Sequence, residues 1–464
     1  MTDITELVVS GGGSSTVATD EMRADVESMT AISAGLAIVR GQLAIADATL
    51  TEASRAMTQV GWARAAMDDA WAATTTAKDI SDYLGDQLVI AIDNYTETEQ
   101  NVEAMAFGID RLLSYWAGDA LSQVPSADWL ASGLPWLLRD QFDDQADPIG
   151  ARDIDPTNPL FTDPQFIEAV RRFVMTGENF ADGYGGAAAE AADQLREMGV
   201  SGAALSGQLL LMYAWQSGLL RETNVSVTKT ATYERPGPID STLDRIAAIP
   251  DPALRADGAQ IRIDEIHDGD TVRYEVFIAG TADFNPISKG EPFDTTSNVA
   301  GVAGQSPASY RATVLAMEQA GITDLSEVSF VGYSQGGLIA SMLAASGDYN
   351  TRGLTTIGGP SGQIIIPAGV PALLIEHYED LVPALGGTQA NTDALVVRRH
   401  AFNDANPPDT NLPLPGHQLQ YYLETAELID DAESSLLQGT VAQLNEFSDG
   451  DQVISTWYTA ERVP

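Results

Sequence analysis

Hydrophobic and polar positions alternate along 271–279, where Val272, Tyr274, Val276 and Ile278 fall on one side. That period of two is the signature of a β-strand. The runs 327–331 and 372–376 are short and apolar, and both read as buried strands. The stretch 337–344 reads as a helix with small residues in its first turn. The first part of the chain keeps a different period. From about Thr19 to Leu113 it is alanine-rich and free of proline, and Ile80, Leu84, Leu88, Ala91 and Tyr95 recur at i, i+4, i+8, i+11 and i+15. Such a stripe lines one face of a helix and predicts the seam of a helical hairpin or bundle.

These periods divide the chain into four parts. Residues 1–18 read as a flexible leader because three consecutive glycines lie in the polar run 10–15. Residues 19–124 form an all-α hairpin or bundle region. Residues 125–238 begin with an irregular connection rich in Pro, Asp and Trp, then return to helix at 166–174, 187–197 and 205–220. The last of these is apolar enough to predict a buried, lid-like helix. Pro236-Gly237-Pro238 marks a boundary, and 239–464 carries the strands. The fold class expected is α/β, a sheet with helices on both faces preceded by the helical region.

The stretch Gly332-Tyr333-Ser334-Gln335-Gly336 lies between a predicted strand and a predicted helix. A serine between glycines at that turn is a nucleophile elbow, which lifts the hydroxyl out of the sheet. A serine hydroxyl needs a base, and the base needs an orienting acid. The chain has four histidines. His267 falls in a hairpin turn, and His377 and His400 follow β-rich runs, where a structural hydrogen bond is the plainer role. His417 ends the loop Leu412-Pro413-Leu414-Pro415-Gly416-His417 directly before a helical stretch. It is the candidate base, with His400 its competitor. Asp380, before an apolar pair and Pro383, is the candidate acid, with Glu376 and Glu379 as rivals. The chain order Ser334, Asp380, His417 is that of the strand–helix hydrolases.

From about Ile239 to the C-terminus the sequence resembles the α/β-hydrolase superfamily, in particular actinobacterial lipase- and cutinase-like serine esterases with a Gly-Tyr-Ser-Gln-Gly elbow. In that family the acid follows the second strand after the elbow helix, and the histidine follows the next strand. Here 354–357, 372–376 and 395–399 supply those strands, so Asp380 and His417 fall where the resemblance puts them. It implies cleavage of carboxylic esters through an acyl-enzyme, or acyl transfer or amide cleavage at the same site. An oxyanion hole needs backbone N–H groups aimed at the developing charge. One is expected from Gln335, the residue after the nucleophile. The resemblance places a Gly-Thr pair after the alternating strand as the other, which makes Thr281 the candidate. Phe284, Pro286 and Pro292 follow it as candidate pocket-lining residues, and Asp294 reads as a loop-capping carboxylate.

In the helical region, Tyr95-Thr96-Glu97-Thr98-Glu99 has a Tyr-x-x-x-Glu spacing. It resembles the export signal on helical-hairpin substrates of actinobacterial type VII secretion. That implies a helical secretion partner and a secreted or cell-envelope location; without that route the chain stays cytoplasmic. A competing class is a secreted helical interaction or effector protein in which the hydrolase is secondary.

Composition narrows the partners. With 66 acidic against 24 basic residues, the formal net charge is −42 over 464 residues. Such a field disfavours nucleic acid, anionic membrane surfaces and strongly anionic substrates, and suits small neutral or lipid esters. The chain has no cysteine, which excludes disulfides, thiolate metal sites and cysteine nucleophiles. With few histidines and no Gly-rich phosphate loop, neither metal nor organic cofactor is expected. The N-terminus lacks a basic region and a following apolar core, so no Sec-type signal peptide is expected. No tract is long enough to predict a transmembrane segment.

Overall fold

A computed structural model describes residues 6–11, 30–45, 70–72, 74–75, 78 and 159–463, except 185, 217, 236, 392, 404 and 410. The chain divides into two compact units, Ser14–Ala106 and a second made of Met1–Gly13 with Phe107–Pro464. In the first, 30–45 is helical and the Arg40 guanidinium lies 4.9 Å from the centre of the Trp71 ring. The stripe from Ile80 to Tyr95 and the Tyr95–Glu99 spacing lie outside the described residues.

The described strands of the second unit are β1 (Val8–Gly11), β2 (Asn224–Glu234), β3 (Ile261–Asp268), β4 (Thr271–Ile278), β5 (Glu327–Tyr333), β6 (Asn350–Ile357), β7 (Ala372–His377), β8 (Leu395–Arg399) and β9 (Gln452–Val463). Among the described residues these nine form one sheet in the order β1-β8-β7-β6-β5-β4-β3-β9-β2. The run from β4 to β8 is parallel. The flanking pairs are antiparallel: β1 on β8 at one edge, and β3, β9 and β2 at the other.

Eleven helices of this unit are described: α1 (Pro164–Val174), α2 (Gly177–Tyr184), α3 (Gly186–Glu197), α4 (Gly202–Gln216), α5 (Thr242–Ala247), α6 (Thr295–Val302), α7 (Ala308–Gln319), α8 (Gln335–Ala345), α9 (Leu381–Ala384), α10 (Leu419–Asp430) and α11 (Ser435–Ser448). Alternation along the strands feeds two cores. Val276, Phe330, Leu354 and Leu374 pack with Ala312, Ala316, Ile339 and Leu343 of α7 and α8. Phe277, Val331, Ile357 and Ile375, one or three residues along and so on the other face, pack with Ile246, Tyr422, Ile429 and Leu444 of α5, α10 and α11. The fold is therefore an α/β sheet with helices on both faces. Among the described residues no helix is long and apolar enough to cross a membrane.

Two of the described strands lie outside the 239–464 segment. β1 falls in the stretch that reads as a leader, with Leu7 and Val9 packed on the second core. β2 pairs along β9 from Asn224↔Val463 to Glu234↔Ile454. The helices before β2 also pack on this unit. Leu211 and Ala214 of α4, with Leu220, meet Ala300 and Ala303 at the end of α6. Phe161 and Ile167 meet Leu381 and Ala384 of α9, and Phe166, Val170 and Leu414 join them.

Candidate active site

β5 ends at Tyr333 and α8 begins at Gln335, so Ser334 alone makes the turn, at φ 55° and ψ −121°. A positive φ in a residue with a side chain is strained, and the neighbouring structure has to hold it. Backbone bonds do so: the Ser334 N–H donates to the Ile357 carbonyl at 2.8 Å, and its carbonyl accepts from Gly337 and Leu338. The two glycines of the motif are fixed by contact. A Cβ on Gly332 would stand 2.1 Å from the Gly336 carbonyl oxygen, and one on Gly336 would stand 2.1 Å from that of Ile278. Only hydrogen fits at either position.

Asp380 follows the C-terminal end of β7. It caps α9, its Oδ1 accepting the Val382 N–H at 2.8 Å. His417 ends the short 3-10 turn Pro415–His417, entered through Leu414 in the left-handed region at φ 46°. Gly416 lets this turn lie against the acid loop, because a Cβ there would meet the Glu379 carbonyl oxygen at 2.1 Å. His417 Nδ1 lies 2.7 Å from Asp380 Oδ2, and His417 Nε2 lies 2.8 Å from Ser334 Oγ. A carboxylate only accepts, so Nδ1 carries the proton and Nε2 offers its lone pair to the serine hydroxyl. All three side chains are buried, Asp380 completely. Tyr333 steadies His417 twice: its ring stacks on the imidazole with centroids 5.0 Å apart, and its hydroxyl donates to the His417 carbonyl.

The two candidate oxyanion residues, Gln335 and Thr281, lie at the start of α8 and just beyond β4. Their N–H groups have no acceptor among the described residues. A Cβ on Gly280 would come within 3.3 Å of Ser334 Cβ, so the loop carrying Thr281 runs beside Ser334. Asn298 anchors it, donating from Nδ2 to Thr281 Oγ1 at 2.9 Å. The Gln335 side chain donates to the Asp294 carbonyl at 2.7 Å. Asp294 caps α6 through Ser297 and is held bidentately by Arg462, and burial pushes its carboxyl up to about 6. Of the candidate pocket residues, Phe284 is exposed, whereas Pro286 and Pro292 are buried.

The other histidines are engaged elsewhere. His377 is fully enclosed; its Nδ1 faces the Gly416 carbonyl at 2.9 Å and its Nε2 the Thr425 hydroxyl at 2.7 Å. Desolvation takes its pKa down to about 4, so it is neutral. His267 faces Glu265 at 2.9 Å on the same strand. His400 stacks on Tyr378 and its Nδ1 lies 2.7 Å from Glu379 Oε1. The rival acids are likewise committed. Glu376 holds Arg171 and Arg398, and Glu379 is buried, accepting from Ala401 as well as facing His400.

Burial raises the Glu379 pKa, so its hydrogen bonds serve the loop at a desolvation cost. Glu379→Gln should lower folding stability by about 1–3 kcal/mol, and His400→Ala should follow in the same direction. Both should leave turnover within a few-fold of wild type. Chemical denaturation alongside an ester assay checks this, and a loss matching that of Asp380→Asn would show that Glu379 shares the acid's work.

Arg171 of α1 donates to the Gly387 carbonyl and lies 3.3 Å from Glu376 Oε2, tying α1 to the end of the strand that precedes Asp380. At the opposite flank, Gln208 of α4 donates to the Ala303 carbonyl at 3.0 Å. Helices α1 to α4 thus attach both to the loops carrying Asp380 and His417 and to the segment after β4. Among the described residues no group of three or more acidic or histidine side chains is placed to hold a metal ion. No family model, no curated protein and no solved structure matches this chain.

Proposed function

We propose that the chain is a serine-dependent carboxylic ester hydrolase of the α/β-hydrolase type. The observation that carries this reading is the buried hydrogen-bond line from Ser334 Oγ through His417 to Asp380, with both spacings below 3 Å, set at a strained strand-to-helix turn. A buried imidazole between a carboxylate and a strained serine is arranged for proton transfer rather than for packing.

Ser334 Oγ attacks the acyl carbonyl while His417 Nε2 takes its proton. Asp380 stabilises the imidazolium and keeps Nδ1 protonated. The tetrahedral oxyanion meets the N–H groups of Gln335 and Thr281. Collapse breaks the ester C–O bond, and His417 returns the proton to the departing alcohol. Water, activated by the same imidazole, then splits the acyl-enzyme and releases the acid. The net charge of −42 favours an uncharged ester. Helices α1 to α4, fixed on both flanks of the site, act as its cap, the lid-like role expected of 205–220. The region 19–124, read as helical from its sequence, is proposed to serve export by a type VII-like route.

A fluorophosphonate should label the folded chain once, on the peptide containing Ser334, and p-nitrophenyl butyrate should be hydrolysed. Peptide mass spectrometry and a chromogenic assay read both. A chain that takes no label and turns over no ester is not a serine hydrolase.

A further inference from the structure

Asp380 Oδ2 carries a second hydrogen bond. Tyr422, on α10, donates its hydroxyl to that oxygen at 2.7 Å, the atom that His417 Nδ1 reaches at the same distance. Tyr422 is fully buried, and desolvation together with the neighbouring Asp380 raises its pKa well above the ordinary phenol value. It is therefore a neutral donor whose one proton can only point at the carboxylate. Its ring is clamped, stacked on His377 with centroids 3.8 Å apart and edge-on to Tyr333 at 6.4 Å. His377 is itself pinned by Gly416 and Thr425, so the phenol has no alternative direction. Gly358 keeps the space clear: at φ +58°, a Cβ there would lie 3.0 Å from both Asp380 Oδ2 and the Tyr422 hydroxyl.

From this geometry we infer that Tyr422 is a positioning residue for the proposed reaction, acting on His417 through Asp380. Oδ1 is held by the Val382 N–H, so the carboxylate plane is fixed at one end by the backbone and at the other by the phenol. The fixed plane directs Oδ2 at Nδ1 and keeps the imidazole edge aimed at Ser334. Two donors sharing Oδ2 also divide its charge, which weakens each bond relative to a sole donor. This inference rests on the hydrolase reading for its kinetic consequence, but the bond itself can be read without turnover.

The test uses the full chain with Tyr422→Phe, which preserves the ring stack and removes only the hydroxyl. The low-field proton resonance of His417 Nδ1–H, assigned by its absence in His417→Gln, should move further downfield as its bond to Asp380 becomes the only side-chain donation to Oδ2. The kcat for p-nitrophenyl butyrate should fall about tenfold with KM within about twofold, the scale of one hydrogen bond to a charged group. In an Asp380→Ala background the same substitution should cost nothing further. An unmoved resonance, or an equal kcat loss on top of Asp380→Ala, would overturn the inference and give Tyr422 a packing role only. A wild-type chain without turnover, in which Tyr422→Phe still shifts the resonance, would end the esterase reading and leave the link from Tyr422 to His417 standing.

Discussion

Ser334→Ala should reduce ester turnover by a factor on the order of 10⁶ while leaving the thermal transition nearly unchanged. Two features separate those effects. Among the described residues the hydroxyl has one side-chain partner, His417 Nε2, so its removal leaves no other described polar group without a partner. The backbone strain at φ 55° belongs to any residue with a Cβ, so alanine neither relieves nor adds to it. His417→Ala should be as damaging, and the double substitution little worse than either single one, because the pair acts as a unit. Turnover near wild type in a purified Ser334→Ala chain would remove the serine from the mechanism. A large loss accompanied by a fall of many degrees in melting temperature would mean that the elbow had collapsed and that the assay read unfolding.

The parts of this site legible in the sequence are those that local constraint writes into it. The elbow shows because two backbone approaches admit only glycine, at Gly332 and Gly336, on either side of a strained serine. β4, β5, β7 and β8 show because strands with one or both faces in a core must alternate or run apolar. The edge strands escape that logic. β2 has no fully buried residue, and its Val-Ser-Val-Thr alternation sits just before Pro236-Gly237-Pro238, where a domain boundary was the natural reading. β1 is four residues long, too short for any period to emerge, and ends in the glycines that suggested a leader. Glu379 illustrates a second limit. It reads as interchangeable with Asp380 in a chain rich in acids, and only the path of the loop turns one carboxylate to His417 and the other to His400. Tyr422 had no local signal at all, since an aromatic residue on an amphipathic helix usually means packing. Its hydroxyl matters because helix α10 and the Asp380 loop, 42 residues apart in the chain, meet at one oxygen atom.

A fragment beginning at Ile239 should fail to fold cooperatively, although it contains Ser334, Asp380 and His417. Its loss would begin at the sheet. Without β2, the long strand β9 becomes an open edge, and unpaired edges recruit other chains. Arg235 leaves with it, so the buried Asp264 keeps Arg262 as its one cation. Arg462, itself almost fully buried, loses Glu222 and keeps Asp294. On the far side of the site, removing α1 takes Arg171 from Glu376 and uncovers Leu381, Ala384 and Leu414 beside Asp380 and His417. Removing α4 uncovers Ala300 and Ala303 of the segment after β4. Breaking a single buried ion pair costs about 3–5 kcal/mol, against a total stability of about 5–15 kcal/mol for a whole domain. The partial loss of three such clusters, together with an exposed edge and two uncovered apolar faces, exceeds what the remainder can supply. Circular dichroism melting and size-exclusion chromatography should show an aggregating chain with no sharp transition and no ester turnover. A monomeric 239–464 fragment with a cooperative transition and wild-type turnover would show that β1, β2 and helices α1 to α4 are accessories to a self-sufficient hydrolase. Recovery of solubility on restoring 218–238 alone would instead assign the defect to the β2 edge and free the cap to be studied for its effect on substrate size.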